Sequence, residues 1–123
     1  MNDIQWFATF FGRIFVGGFF VWLAVMMLRD RKGMLEFLKS KKVPWLNIVY
    51  PAAIALQLLG GALLILGMQM RLGALLLLAY NIPEMLMLHD FWKHKGSDRH
   101  REMLYFMKDV AICGGLLFIL ALA

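Results

Sequence analysis

"VPWLNIVYPAAIALQLLGGALLILGMQM", Val43 to Met70, runs for 28 residues without a Lys, Arg, Asp or Glu. A helix needs about 20 apolar residues to cross the hydrocarbon core of a bilayer, so this stretch reads as a membrane span. Three flanking segments are apolar but interrupted. Ile4–Leu28 carries Arg13, Arg71–Leu88 carries Glu84, and Glu102–Ala123 carries Lys108 and Asp109. The whole chain has 123 residues, 62% hydrophobic and 17% charged. A soluble domain has about 25% charged residues, and a chain this small has too much surface to bury so much Leu, Met and Phe. The expectation is an all-α polytopic membrane protein, a bundle of four transmembrane helices at about 4–28, 46–66, 71–91 and 102–122, forming a single domain over 1–123.

The basic residues give the chain a direction. Arg29, Arg31, Lys32, Lys39, Lys41 and Lys42 lie between the first two spans, and Lys93, Lys95, Arg99 and Arg101 between the last two. The loop between spans two and three has only Arg71. By the positive-inside rule both basic loops are cytoplasmic and both termini periplasmic, as in a multi-pass bacterial inner-membrane protein. No cleaved signal is expected, because no Lys or Arg precedes the first apolar run, which is also too long for a signal core. The net charge of +5 flanks membrane helices, so lipid headgroups rather than nucleic acid are the expected partners. In the first basic loop Met34, Leu35, Phe37 and Leu38 recur at helical spacing opposite Glu36, Lys39 and Lys41. That pattern predicts a short amphipathic helix, on the membrane surface or as a lid on the bundle. Trp45, Tyr50, Phe91 and Trp92 fall where headgroup-level aromatics belong.

Packing between helices in lipid depends on close backbone approach, and the pairs Gly17-Gly18, Gly60-Gly61 and Gly114-Gly115 are the candidate contacts. Gly67 fits the left-handed position that ends a helix before a tight turn. Pro83 falls inside the third span and removes one backbone hydrogen bond there.

Polar residues inside the spans are the functional candidates, since each charge costs about 2.5–3.5 kcal/mol at a helix centre. With antiparallel helices, Gln57, Asn81 and Cys113 lie near mid-membrane. Glu84, Lys108 and Asp109 lie a few residues to the cytoplasmic side, and Arg13 to the outer side. Tyr105, Asp109 and Cys113 share one face of the last helix, while Lys108 points about 100° away. Arg13, Gln57, Asn81, Glu84, Tyr105, Lys108 and Asp109 are therefore the candidate interior site, with His89 and Trp92 near its cytoplasmic mouth. Two readings stand: a structural ion pair such as Lys108 with Glu84, or a ligand or proton site for a polar head such as a quinone carbonyl. The single cysteine excludes an intrachain disulfide and a C-x-x-C pair. His89, His94 and His100 match no familiar zinc spacing and are poorly placed as haem ligands, so no metal is expected.

"FGRIFVGGFFVWLAVMML", "LQLLGGALLILGMQMRLGALLLLAYNIPEML", "HDFW" and "FMKDVAICGGLLFIL" together resemble DoxX-type membrane proteins. The pieces that carry the resemblance are Arg13, a polar residue before the Gly60-Gly61 pair, Gly67 and Arg71 around a turn, "HDFW" after span three, and Phe106 and Lys108 ahead of Gly114. The resemblance implies a four-helix bacterial inner-membrane protein. Gln57 stands where many relatives have Glu, and the first helix is apolar where many place a Lys. One branch of that family is named for a subunit of a thiosulfate:quinone oxidoreductase, and others are linked to membrane redox complexes. It supplies no catalytic residue set. The expected function is a small membrane subunit supporting redox chemistry, quinone-linked or associated with an oxidoreductase complex, and not catalytic alone. The alternatives are a non-catalytic accessory or scaffolding subunit and, more weakly, a transporter of small solutes or protons. Quinone is the one candidate cofactor, and the partner is the bilayer plus a membrane protein or a second copy.

Overall fold

Asn2 starts the first helix with a reciprocal cap: its Oδ1 accepts from the Gln5 amide at 2.8 Å, and Gln5 Oε1 accepts from the Asn2 amide at 3.0 Å. This satisfies two of the backbone donors that a helix start leaves free. In the computed structural model, which describes residues 2–123, five helices follow in order: α1 (Asp3–Arg29), α2 (Arg31–Ser40), α3 (Leu46–Leu66), α4 (Met70–Leu88) and α5 (Gly96–Leu122). A 3-10 turn, Phe91–Lys93, precedes α5. All four long helices are long and apolar enough to cross a membrane. The chain is the expected all-helical membrane protein, with the short amphipathic helix where the loop pattern placed it. α4 ends at Leu88, and α5 begins at Gly96, well before the apolar run, so its first turns carry the polar segment "GSDRHRE".

The close backbone neighbours are α1 with α3, α3 with α4, and α4 with α5. Glycine makes the first two approaches. A Cβ added to Gly17 would sit 2.6 Å from the Gly61 carbonyl oxygen, and one on Gly61 would sit 2.7 Å from the Gly17 carbonyl oxygen. On the other face of α3, a Cβ on Gly60 would lie 2.9 Å from the Gly73 carbonyl oxygen. α3 therefore uses its two adjacent glycines against two different helices. Gly73, which belongs to no adjacent glycine pair, is a packing residue as well. Gly18, Gly114 and Gly115 correct the expectation: a Cβ on any of them would meet nothing within 4 Å, so they pack no helix of this chain.

Gly67 closes α3 in the left-handed region at φ 69°, as its place before the turn implied. The Met68 amide donates to the Leu63 carbonyl at 3.0 Å, the long bond of a Schellman cap. The Arg13 guanidinium lies against Gly67 where a side chain would be, a cation at the negative end of α3. Gly67 is thus required by its φ and by its neighbour.

Phe20, Leu64, Leu77, Leu78, Cys113 and Leu116 form one buried cluster drawn from all four long helices. A second cluster, Ala24, Met27, Tyr50 and Ile54, is covered by Met34, Leu35 and Leu38 of α2. α2 is therefore seated on the bundle end as a lid. Tyr50 corrects the headgroup assignment: it is 1% exposed, its hydroxyl donates to the Met27 carbonyl, and the Arg31 guanidinium lies 5.5 Å from its ring centre. Trp45 and Trp92 are exposed, at 75% and 50%.

The glycine contacts make a contrast that thermal unfolding in detergent will read. Gly61→Ala is expected to lose about 1–3 kcal/mol through backbone overpacking. Gly115→Ala, facing open space, is expected to be neutral or to gain up to about 1 kcal/mol from helix propensity.

Candidate functional site

His89 follows directly on the end of α4, and three carboxylates surround its ring. Its Nε2 lies 3.1 Å from Glu84 Oε1 and 3.4 Å from Asp109 Oδ2, while its Nδ1 lies 3.1 Å from Glu102 Oε2. Glu84 stands on α4, and Glu102 and Asp109 on α5, whose early start brings Glu102 back beside His89. All four side chains are between 12% and 20% exposed. Tyr105 on α5 places its ring centre 5.4 Å from the imidazole. Among the described residues no Lys or Arg pairs with these carboxylates, so one imidazole stands against three acids. Asp109 Oδ2 is buried without a hydrogen-bond partner.

Beside this cluster, between α3 and α4, lies a cavity of about 510 Å³. The two helices touch at Gly60 and Gly73 and part toward the basic-loop end, where Ala52, Ala53, Leu56, Ala79 and Pro83 line this half-open cavity. Leu38, Val43, Pro44 and Trp45 roof it from α2 and the following turn. Glu84 is the one charged residue in its wall, and Tyr80 lines it one turn earlier on α4. The same carboxylate residue therefore belongs to the cavity and to the His89 cluster.

A latch holds the roof. Lys41 Nζ donates to Asp90 Oδ1 at 3.0 Å, and His94 Nε2 lies 3.1 Å from the same oxygen. This ties the end of α2 to the "HDFW" segment. Phe91 packs on Trp92 and on Phe106 of α5, each at 5.3 Å between ring centres. Lys42 and Trp45 take left-handed backbone at φ 59° and 53°, which side chains adopt at a cost, so the roof turn needs such an anchor.

The structure divides the candidate interior residues. It brings Glu84, Asp109 and Tyr105 together around His89, which is the centre of the cluster rather than its mouth. Asn81 is 2% exposed, and its Nδ2 donates to the Asp109 carbonyl at 3.2 Å and to Cys113 Sγ at 3.1 Å; it clips α4 to α5. Gln57, fully buried, donates to the Ala53 carbonyl and to Met27 Sδ, each at 3.1 Å, in the α1–α3 interface. Arg13 lies at the opposite end of the bundle, against Gly67. Lys108 is exposed, 5.9 Å from the Tyr105 ring centre, and makes no pair with Glu84. Trp92 lies outside the cluster. Glu102, the first residue of the fourth apolar segment, was not among the candidates, which were taken from the middle of the spans. Its signal is spacing: 102, 105, 109 and 113 fall on one helical face.

Removing the latch should loosen the roof without unfolding the bundle. Asp90→Asn is expected to cost about 1 kcal/mol at most, as a partly exposed ion pair does. It should speed proteolytic cleavage between Ser40 and Trp45, read as the rate of fragment appearance in detergent.

A profile of the DoxX family matches residues 8–90. No curated protein matches, and no solved structure matches. The match spans α1 to the end of "HD" and thus includes Glu84, His89 and Asp90, while α5, with Glu102 and Asp109, lies beyond it. Four helices able to span a bilayer and a match over most of the sequence give the same answer: the chain belongs to the DoxX family of membrane proteins.

Proposed function

We propose that this protein is a small membrane subunit that binds a quinone-class molecule in the cavity between α3 and α4, in support of a partner oxidoreductase. One observation carries the reading: an apolar cavity of about 510 Å³ with a single carboxylate in its wall. Ligand sites of this kind are mostly apolar, with few polar groups that fix orientation. A quinone ring and the start of its isoprenoid tail match such a slot. In this reading the Tyr80 hydroxyl donates to a quinone carbonyl, and the Glu84 carboxylate accepts from a quinol hydroxyl. Reduction of a quinone to its quinol takes two electrons and two protons, and the partner oxidoreductase supplies the electrons. The chain's share is to bind and orient the ring and to keep the slot dry under α2.

A second reading, an accessory subunit without a ligand, is favoured by α5. Gly114 and Gly115 leave open space for another helix, and Phe118 beside them is 70% exposed. Both readings place the chain in a larger assembly.

Trp45 lies in the cavity wall and reports on occupancy. A short-chain quinone added to the protein in nanodiscs should quench its fluorescence saturably, and Trp45→Phe should remove most of that quenching. Glu84→Leu should weaken binding about 10-fold, the loss of one good hydrogen bond. Lys108→Met, altering a residue outside the cavity, should bind as the parent does. Unsaturable quenching, equal in the parent and Trp45→Phe, would eliminate the quinone reading and leave the accessory one.

A further inference from the structure

We infer that His89, Glu84 and Asp109 form a site for one divalent first-row transition-metal ion, with Glu102 holding the imidazole from behind. The inference shares Glu84 with the quinone reading, and its test counts bound metal with no quinone added, so the two can fail separately.

The three residues bring ligand-type atoms within 4.8 Å of one another. The individual separations say more. Nitrogen and oxygen ligands bound to one metal at about 2.0–2.2 Å lie roughly 3.0–3.5 Å apart, whether the geometry is octahedral or tetrahedral. His89 Nε2 stands 3.1 Å from Glu84 Oε1 and 3.4 Å from Asp109 Oδ2. Both fall in that interval; Glu84 and Asp109 come from α4 and α5, and His89 from the residue that follows α4.

The other side of the ring has the arrangement that metal-bound histidines use. Nδ1 faces Glu102 Oε2 at 3.1 Å. A ligating histidine almost always gives its second N–H to a carboxylate or carbonyl, which fixes the tautomer and raises ligand basicity. With the proton on Nδ1, the lone pair of Nε2 points toward two carboxylates, an arrangement that needs a cation between them.

Protons are the simplest such cations, and a metal ion is the alternative that engages all three side chains at once. A single Nε2–H stands closer to Glu84 Oε1, at 3.1 Å, than to Asp109 Oδ2, at 3.4 Å, and a second proton shared between the two carboxyls is needed to satisfy Asp109 as well. An ion bound by all three satisfies that oxygen as well, and it offsets carboxylate charge that no Lys or Arg among the described residues neutralises. Burying such charge unpaired is costly. The donor set selects the metal class. One imidazole with carboxylates suits Mn²⁺, Fe²⁺ or Zn²⁺. It lacks the thiolates that Cu(I) and iron–sulfur clusters use, and the imidazole disfavours Mg²⁺ and Ca²⁺.

The test uses the full chain in nanodiscs of zwitterionic lipid, stripped with a chelator and dialysed against Mn²⁺, and separately against Zn²⁺ and anaerobic Fe²⁺. Bound metal is counted by elemental analysis, and Mn²⁺ is examined by electron paramagnetic resonance for coupling to an imidazole nitrogen. One ion per chain with that coupling is expected. His89→Ala and Asp109→Asn should each lower affinity about 10-fold or more, and Glu102→Gln by about 10–100-fold. His100→Ala, at an exposed residue of α5, should bind as the parent does. Thermal unfolding of each variant separates loss of the site from loss of the fold, and Glu102→Gln, which removes no ligand, keeps the test usable if His89→Ala does not fold. The site does not exist if the parent takes up none of the three metals, or if His89→Ala and Glu102→Gln hold Mn²⁺ as tightly as the parent.

Discussion

Gly60 and Gly61 let α3 touch two helices backbone to backbone, and the placement of everything else depends on that double contact. In lipid no hydrophobic drive brings helices together, so they associate where the surfaces permit close van der Waals contact. On one face Gly61 meets Gly17 of α1, and on the other Gly60 meets Gly73 of α4. Two helices joined tightly at one level have room to part at another. α3 and α4 use that room toward the basic-loop end, where alanines and Pro83 line the cavity and α2 covers it. The packing contact and the cavity are thus one geometric fact.

The second constraint is electrostatic. A carboxylate in a spanning helix has no bulk water beside it, so it must find partners on neighbouring helices. Glu84 and Asp109 meet that requirement through His89, which sits where α4 has ended and α5 still runs on. A histidine in this position joins two helices without needing a carboxylate–lysine match at fixed depth. Lys108 is left exposed on α5, where a long stem lets its ammonium reach toward a polar environment.

Hydropathy made most of the fold legible. The apolar runs place α1 and α3 closely, Gly67 marks its turn, and the spacing of Met34, Leu35 and Leu38 foretells the short amphipathic helix α2, though not whether it lies on the membrane or on the bundle. The site was legible only in part, for physical reasons. Helix depth puts Glu84 and Asp109 at one level, as found, but depth alone says nothing about which helices adjoin, so Lys108 was a natural and mistaken partner. The start of α5 at Gly96 lies in polar sequence that membrane hydropathy cannot read, and Glu102, at the edge of the apolar segment, reads as a boundary residue rather than an interior one. Gly114 and Gly115 repeat the glycine-pair signature of α3 and yet face away from the chain. A small-residue motif records the capacity for close packing, not the identity of the partner.

The most direct measurement of this account is nitrogen NMR of histidine-labelled, metal-stripped protein in nanodiscs, assigned with His89→Ala. The account predicts two inequivalent His89 ring nitrogens, with Nε2 shifted by Glu84→Gln and Nδ1 shifted by Glu102→Gln, while exposed His100 responds to neither. A His89 signal that matches His100 and ignores both substitutions would contradict the central claim that one imidazole joins α4 to α5 through their carboxylates.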